Sequence, residues 1–218
     1  MAPRKAISDI RREELTQAAL KCIAQKGYDR VTLDDVTREA GLSKGIASYY
    51  FKNRDELLVS VIQSIWDSIE ELTRTIWGLP EEADEKEVHK RLRAYFADPS
   101  LDITSLVQNA ISALVAWINE NPLTIRVVLE CWCQVPRHPI VTKVNRSMYS
   151  LLLTVSAVFI EEGARRGVFR KRDPRMAAHV LISGVTGLAY NLVMNGFPGD
   201  NRELEREFHD LVFEYLRG

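Results

Sequence analysis

The 218 residues include 46% hydrophobic side chains, enough for one large core or two modest ones, and carry a net charge of only −1. The charge is divided: residues 1–54 hold 11 Lys/Arg against 7 Asp/Glu and the remainder 18 against 23, a basic head on an acidic body. No run of about 18 uninterrupted apolar residues marks a membrane span, Met1 to Asp9 lack the apolar core of a secretion signal, and three cysteines fit a reducing cytoplasm better than a disulfide framework.

Ser8 is placed to cap a first helix reaching about Lys26, with Ile10, Leu15, Ala18, Ala19, Cys22 and Ile23 as its buried stripe and Gly27 as its stop. Arg4 and Lys5 precede it, either as an arm that touches DNA or as a basic tail without contacts. Thr32 followed by Asp35 is a variant capping box, and Leu33, Val36 and Ala40 mark one apolar face of a short helix stopped by Gly41. Leu42 fills the corner, and Ser43 is a good N-cap for a second helix over Lys44 to Phe51. Within it Ile46, Ala47 and Tyr50 or Phe51 pack inward, leaving Lys44, Ser48, Tyr49 and Lys52 outside. An ordinary surface helix presents long charged side chains. Two tyrosines, a serine, a glycine and basic ends suit a phosphate-lined groove instead, so residues 31–50 read as a DNA-binding helix-turn-helix.

Asn53 then opens a long helix through Leu57, Leu58, Val61, Ile62, Ile65, Ile69, Leu72 and Ile76 to Trp77, ended by Gly78-Leu79-Pro80. Further helices are expected over Asp84–Ala97, Ile103–Glu120, Leu123–Val135, 140–166 after a break bracketed by Pro136 and Pro139, 174–195 with Gly196 as its cap, and Asn201–Leu216. No hairpin chemistry or repeat interrupts them, so the fold class is all-α with about nine or ten helices. The histidines at 89, 138, 179 and 209 fall in no metal-binding pattern, and neither cofactor nor catalytic constellation is evident. Cys131 and Cys133, flanking Trp132, read first as small buried hydrophobes and second as a thiol sensor.

The run Gly-Leu-Ser-Lys-Gly-Ile-Ala-Ser-Tyr-Tyr-Phe-Lys-Asn-Arg-Asp-Glu-Leu-Leu at 41–58, with Thr-Leu-Asp-Asp-Val at 32–36, resembles the recognition-helix signature of TetR-family transcriptional regulators. Ser48 stands where many members carry a tyrosine and Arg54 where a lysine is common. Ser48 after Gly45-Ile46-Ala47 is more similar to the BetI-like subgroup, whose best-known members respond to choline. The resemblance implies a three-helix DNA-binding domain over 8–68 and a larger ligand-binding and dimerisation domain over 69–218. The Gly167-Val168-Phe169 to Asp173-Pro174 connection is similar to the body of such proteins.

It further implies that Ser43, Lys44 and Gly45 hold phosphate or base edges at the helix start, that Ser48 and Tyr49 read bases, and that Thr32, Tyr50, Lys52 and Arg54 anchor the DNA backbone. Helices near 146–166 and 175–195 are the implied homodimer interface, where the small residues Ala177, Ala178, Ser183, Gly184, Gly187 and Ala189 either allow close packing or only relieve crowding within one subunit. A small-molecule effector is expected in the body, with Trp66, Asn109, Ser112, Trp117, Trp132 and Tyr149 as candidate contacts and Phe159, Glu130 and Gln134 beside them. Aromatics next to an acid can hold a quaternary ammonium. The expected function is thus a dimeric, ligand-responsive repressor of a palindromic double-stranded operator, cytoplasmic and without a membrane partner. A constitutive or architectural DNA-binding protein would leave the large body without a task, and an all-α enzyme lacks any nucleophile with partner, paired acids, phosphate loop or metal set.

Overall fold

Short side chains at the helix starts and glycines at the stops divide this chain into elements. The Asp102 carboxylate accepts the N–H groups of Thr104 and Ser105 at 2.9 and 3.3 Å, and that of Asp173 accepts Met176 N–H at 2.7 Å, each satisfying donors that a helix start leaves open. Asn53 does the same for Glu56 N–H at 2.8 Å. The resulting computed structural model describes residues 7–77, 85–135, 137–196 and 201–218. Among them the fold is all-α, without a strand: α1 Ile7–Lys26, α2 Leu33–Glu39, α3 Ile46–Tyr50, α4 Arg54–Trp77, α5 Glu85–Phe96, α6 Ile103–Glu120, α7 Pro122–Gln134, α8 Pro139–Arg165, α9 Pro174–Tyr190 and α10 Asn201–Arg217. Arg4, Lys5, the Gly78-Leu79-Pro80 stop, Asp84 and Pro136 lie outside the described residues.

Three local expectations are corrected. Ser8 does not cap α1, because Ile7 is already helical. Ile10 is not part of the buried stripe; it is 42% exposed on the first turns, ahead of Leu15, where burial begins. The second helix of the helix-turn-helix starts at Ile46 rather than Lys44, for the backbone reason given below. Farther along, α9 continues to Asn195 through a π-helical turn, Asn191–Asn195.

Contacts divide the chain into two compact units, Met1–Ser68 with Pro122–Asn145 and Ile69–Asn121 with Arg146–Gly218. Residues 122–145, grouped by sequence with the second domain, join the first unit. Its core gathers Leu15, Ala19 and Ile23 of α1, Val36 of α2, Phe51, Leu57, Leu58 and Val61 before and along α4, and Ile125 and Val127 of α7.

The second unit is built on Leu92 and Phe96 of α5, the Ile103, Val107, Ile111 and Val115 stripe of α6, and Val158, Phe159 and Ile160 of α8, closed by Phe208, Val212, Phe213 and Leu216 of α10. Phe159 stands edge-on to both Phe96 and Phe169, centroids 5.4 Å apart in each pair. Gly163 is required there, because a Cβ would lie 2.1 Å from the Phe169 ring. Arg166 ties the α5–α6 connection by donating to the carbonyls of Phe96, Asp98, Pro99 and Leu101. In contrast, α9 leaves Met176, Val180, Ser183, Gly184, Gly187 and Tyr190 exposed along one side. By length and composition alone, Pro174–Asn195 is apolar enough to cross a membrane, and little of it is buried.

Candidate nucleic-acid interface

The helix-turn-helix is set by its caps. Thr32 Oγ1 accepts Asp35 N–H at 3.2 Å while an Asp35 carboxylate oxygen accepts Thr32 N–H at 3.1 Å, closing a reciprocal capping box at the start of α2. Lys26 donates to the same carboxylate at 2.7 Å. That bond first, then those from Thr32, holds the Asp35 carboxyl well below the usual carboxylate range. Gly41 ends α2 and Leu42 N–H returns to Thr37 O at 2.9 Å. Gly45 then adopts φ +89°, a left-handed conformation that only glycine enters freely. The turn therefore runs through Lys44 and Gly45, and Ser43 contributes its carbonyl to Ile46 N–H at 3.2 Å instead of a side-chain cap.

One side of α3 is fixed to the protein. Ala47 and Phe51 are buried, Phe51 N–H returns to Ala47 O at 2.8 Å, and the Arg12 guanidinium lies 4.8 Å from the Phe51 ring centre. The other side is open. Ser43, Lys44, Gly45, Ser48, Tyr49 and Lys52 are all exposed, Tyr49 by 83%, and Tyr50 is half-buried with its ring edge-on to Tyr49 at 5.1 Å. Lys44 reaches back to Asp34 at 3.3 Å, a weak surface pair that an incoming phosphate can displace. Thr32 is also exposed, although its hydroxyl and N–H are engaged by Asp35 in the capping box, so eight of the nine expected contact residues sit at the surface or partly so.

Arg54 is the exception. Its Nη1 donates to Asp29 O at 2.6 Å and its guanidinium lies 4.7 Å from the Tyr28 ring centre. Arg54 thereby closes the chain from Asp29 to α4 into a loop that contains the whole motif. Tyr28, which the sequence reading did not single out, organises this closure. It is 2% exposed, its hydroxyl donates to Asp55, and the His138 ring meets it edge-on at 5.9 Å. Burial and then the Asp55 bond push the phenol up to about 12, so it remains a donor at neutral pH. Glu130 of α7 accepts Tyr28 N–H at 3.1 Å. No local sequence pattern signals these partners, because they lie far apart along the chain.

The effector candidates are distributed over both units. In the first, a small apolar cleft brings Trp66 together with Trp132, between Ile62 and Ile65 of α4 and Val128 and Cys131 of α7, with Asn145 also in its lining. Trp66 Nε1 is buried there without a hydrogen-bond partner among the described residues. Burial first, then the neighbouring Glu130 charge, pushes the Cys131 thiol up to about 12, so it is an inert neutral group. Cys133 is exposed, contrary to its expected burial. In the second unit Asn109 is exposed, Ser112 donates to Glu205, Trp117 is half-buried, and Tyr149 pairs with His179 Nδ1 at 3.0 Å. Of the residues named beside them, Phe159 is core, Gln134 is buried and Glu130 is engaged by Tyr28.

Two family models match the chain: bacterial regulatory proteins of the tetR family over residues 15–61, and the C-terminal part of BetI-type transcriptional repressors over residues 104–216. Among curated proteins, the transcriptional regulator BetI of Cronobacter sakazakii is 26% identical over 198 residues, covering 90% of this chain and 86% of that protein. The BetI of Escherichia coli is 26% identical over 200 residues, covering 91% and 90%. A TetR transcription regulator from Haloarcula marismortui superposes with TM-score 0.69 at 20% identity, over 95% of this chain and 97% of that one. The fatty acid degradation regulator FadR from Bacillus halodurans superposes with TM-score 0.68 at 19% identity, over 97% of each. At such identities the superpositions establish a shared fold.

Proposed function

Because the chain belongs to the TetR family of bacterial transcriptional regulators, with a BetI-type C-terminal part, we propose that it is a dimeric cytoplasmic repressor released from its operator by a small molecule. The observation that carries the DNA-reading part is the open side of α3. Ser48 and an 83% exposed Tyr49 stand on a helix whose opposite side is locked by Ala47 and Phe51, so their direction is fixed before DNA arrives. Ser48 and Tyr49 read base edges; Ser43, Lys44 and Gly45 approach phosphate at the turn; Thr32, Tyr50 and Lys52 add backbone contacts, and Arg54 contributes charge from its place at the base of the motif.

A five-residue helix offers few base contacts, so two copies related by a twofold axis are needed, with half-sites one DNA turn apart at roughly 34–36 Å. The exposed apolar side of α9, together with α8 from about residue 146, supplies the surface for that pairing. Its large apolar share is understood in the same way, since a face of this kind is covered by protein as readily as by lipid. The effector site is assigned to the Trp66–Trp132 cleft, where two of the candidate aromatics meet; it has room for little more than a water and must open to admit a ligand, which then shifts the population away from the DNA-bound form by no more than its differential affinity.

Footprinting on the DNA upstream of the protein's own gene, repeated with candidate effectors, tests this reading. A palindromic footprint erased by one compound is expected. A footprint that no compound changes points instead to a constitutive DNA-binding protein, and the absence of any footprint removes the operator there.

A further inference from the structure

Tyr28 is held by three elements at once. Its hydroxyl bonds Asp55 in the first turn of α4, its backbone N–H bonds Glu130 of α7, and its ring lies against His138, which approaches Asp55 at 3.9 Å just before α8. Next to it, Asp29 O accepts Arg54. Both ends of the helix-turn-helix, the approach to Thr32 and the exit into α4, thus meet at this one residue. Helix α7 has a second task. With 3.6 residues per turn, Val128, Cys131 and Trp132 share the side that lines the cleft, and Glu130 leaves the helix about 150° round from their centre. One rigid helix therefore faces the cleft on one side and grips the base of the DNA-reading motif on the other.

We propose that the Glu130–Tyr28–Asp55 chain is a positioning latch, through which α7 sets the pose of α3 and passes the state of the cleft to it. The proposal rests on the DNA-reading and effector roles assigned above. Glu130 touches no DNA; it acts by holding Tyr28, and through Tyr28 the start of α4. A molecule that wedges α4 from α7 at Trp66 and Trp132 draws Glu130 from the Tyr28 N–H, leaving that buried donor unpaired and the motif free to turn.

Full-length Glu130→Ala, Glu130→Gln and Val128→Phe variants test it, the last adding a ring to the cleft in place of an effector. Hydrogen–deuterium exchange at the Tyr28 amide reads the latch without DNA. Protection is expected to fall in Glu130→Ala and to persist in Glu130→Gln, whose amide oxygen still accepts; unchanged protection in Glu130→Ala overturns the proposal. On the footprinted operator, Glu130→Ala is expected to bind about tenfold more weakly while affinity for a random duplex stays within about twofold, and Glu130→Gln to recover most of the loss. Equal losses on both duplexes with a lowered melting temperature mark a merely structural role and overturn it. Val128→Phe is expected to weaken operator binding in the wild-type background and to add nothing in Glu130→Ala; additive losses break the link from cleft to latch. If wild type shows no operator preference while exchange behaves as expected, the DNA-reading assignment fails and the latch stands.

Discussion

At Gly45 the backbone bends into a left-handed turn, and that single conformation separates Lys44, before the helix, from Ser48, upon it. Lys44 stands in the turn, outside α3, where its ammonium can find a phosphate; Ser48 stands on the helix, where its hydroxyl can meet a base edge. The two are therefore expected to fail differently. In gel shifts over a salt series, Lys44→Ala weakens binding to operator and random duplex alike and lowers the salt slope by about one, whereas Ser48→Ala chiefly changes preference among operators. Unchanged binding by both removes α3 from the interface. Asp35 offers a test at the same scale. Its folded-state carboxyl lies below the ordinary value of about 3.9, so its contribution to stability is complete above that value and is lost only as pH falls through the lower, folded one. A carboxyl titration followed by NMR is expected to show Asp35 ionised after ordinary aspartates have protonated; a midpoint in the ordinary range refutes the bond from Lys26 as its main support.

Helix α2 depends strongly on its N-cap, since seven residues leave few internal hydrogen bonds and Thr32 satisfies one of the open donors. Thr32→Ala is expected to destabilise the protein by about 1 kcal/mol in denaturant unfolding and to weaken operator binding as α2 frays; Thr32→Ser, which keeps the oxygen, is expected to do neither. Caps of this kind are why the sequence locates most elements so well. Asp173, Thr32 and Asn53 announce helix starts by local chemistry, and α6 falls over Ile103–Glu120 as its pattern predicts. The start of α3 is shifted because serine before lysine and glycine is a fair cap in isolation, whereas Gly45 takes a left-handed conformation that glycine enters freely and that ends the turn one residue before Ile46. The latch is invisible for a different reason: Tyr28 and Glu130 meet across 102 positions, and no periodicity reports such a pair. Helical spacing likewise does not say which candidate aromatics face a cleft: Trp66 and Trp132 line one together, while Asn109 and Ser112 stand exposed in the other unit.

For the whole molecule, the open question of assembly turns on the glycines of α9. A glycine inside a helix costs about 1 kcal/mol relative to alanine, so Gly184 and Gly187 call for a reason that outweighs it. Among the described residues a Cβ at Gly187 meets nothing within 4 Å, and one at Gly184 lies at an ordinary 3.6 Å from Phe208. Crowding by the described residues of the same chain is therefore not what keeps them small. Close approach by the same helix of a second subunit is a sufficient reason, because glycine lets two backbones pack nearer than any side chain allows, and the exposed Met176, Val180 and Tyr190 supply apolar contact around them. Gly187→Ala separates the two explanations by sign. In an isolated protomer the substitution stabilises α9 by up to about 1 kcal/mol, whereas in a dimer joined through this face it also inserts a methyl group into the contact. Sedimentation across a concentration series is expected to show the dimer of Gly187→Ala dissociating at concentrations about tenfold higher than wild type, and Gly187→Leu remaining monomeric with its helical content intact. A dimer unaffected by either change places the subunit contact on another surface.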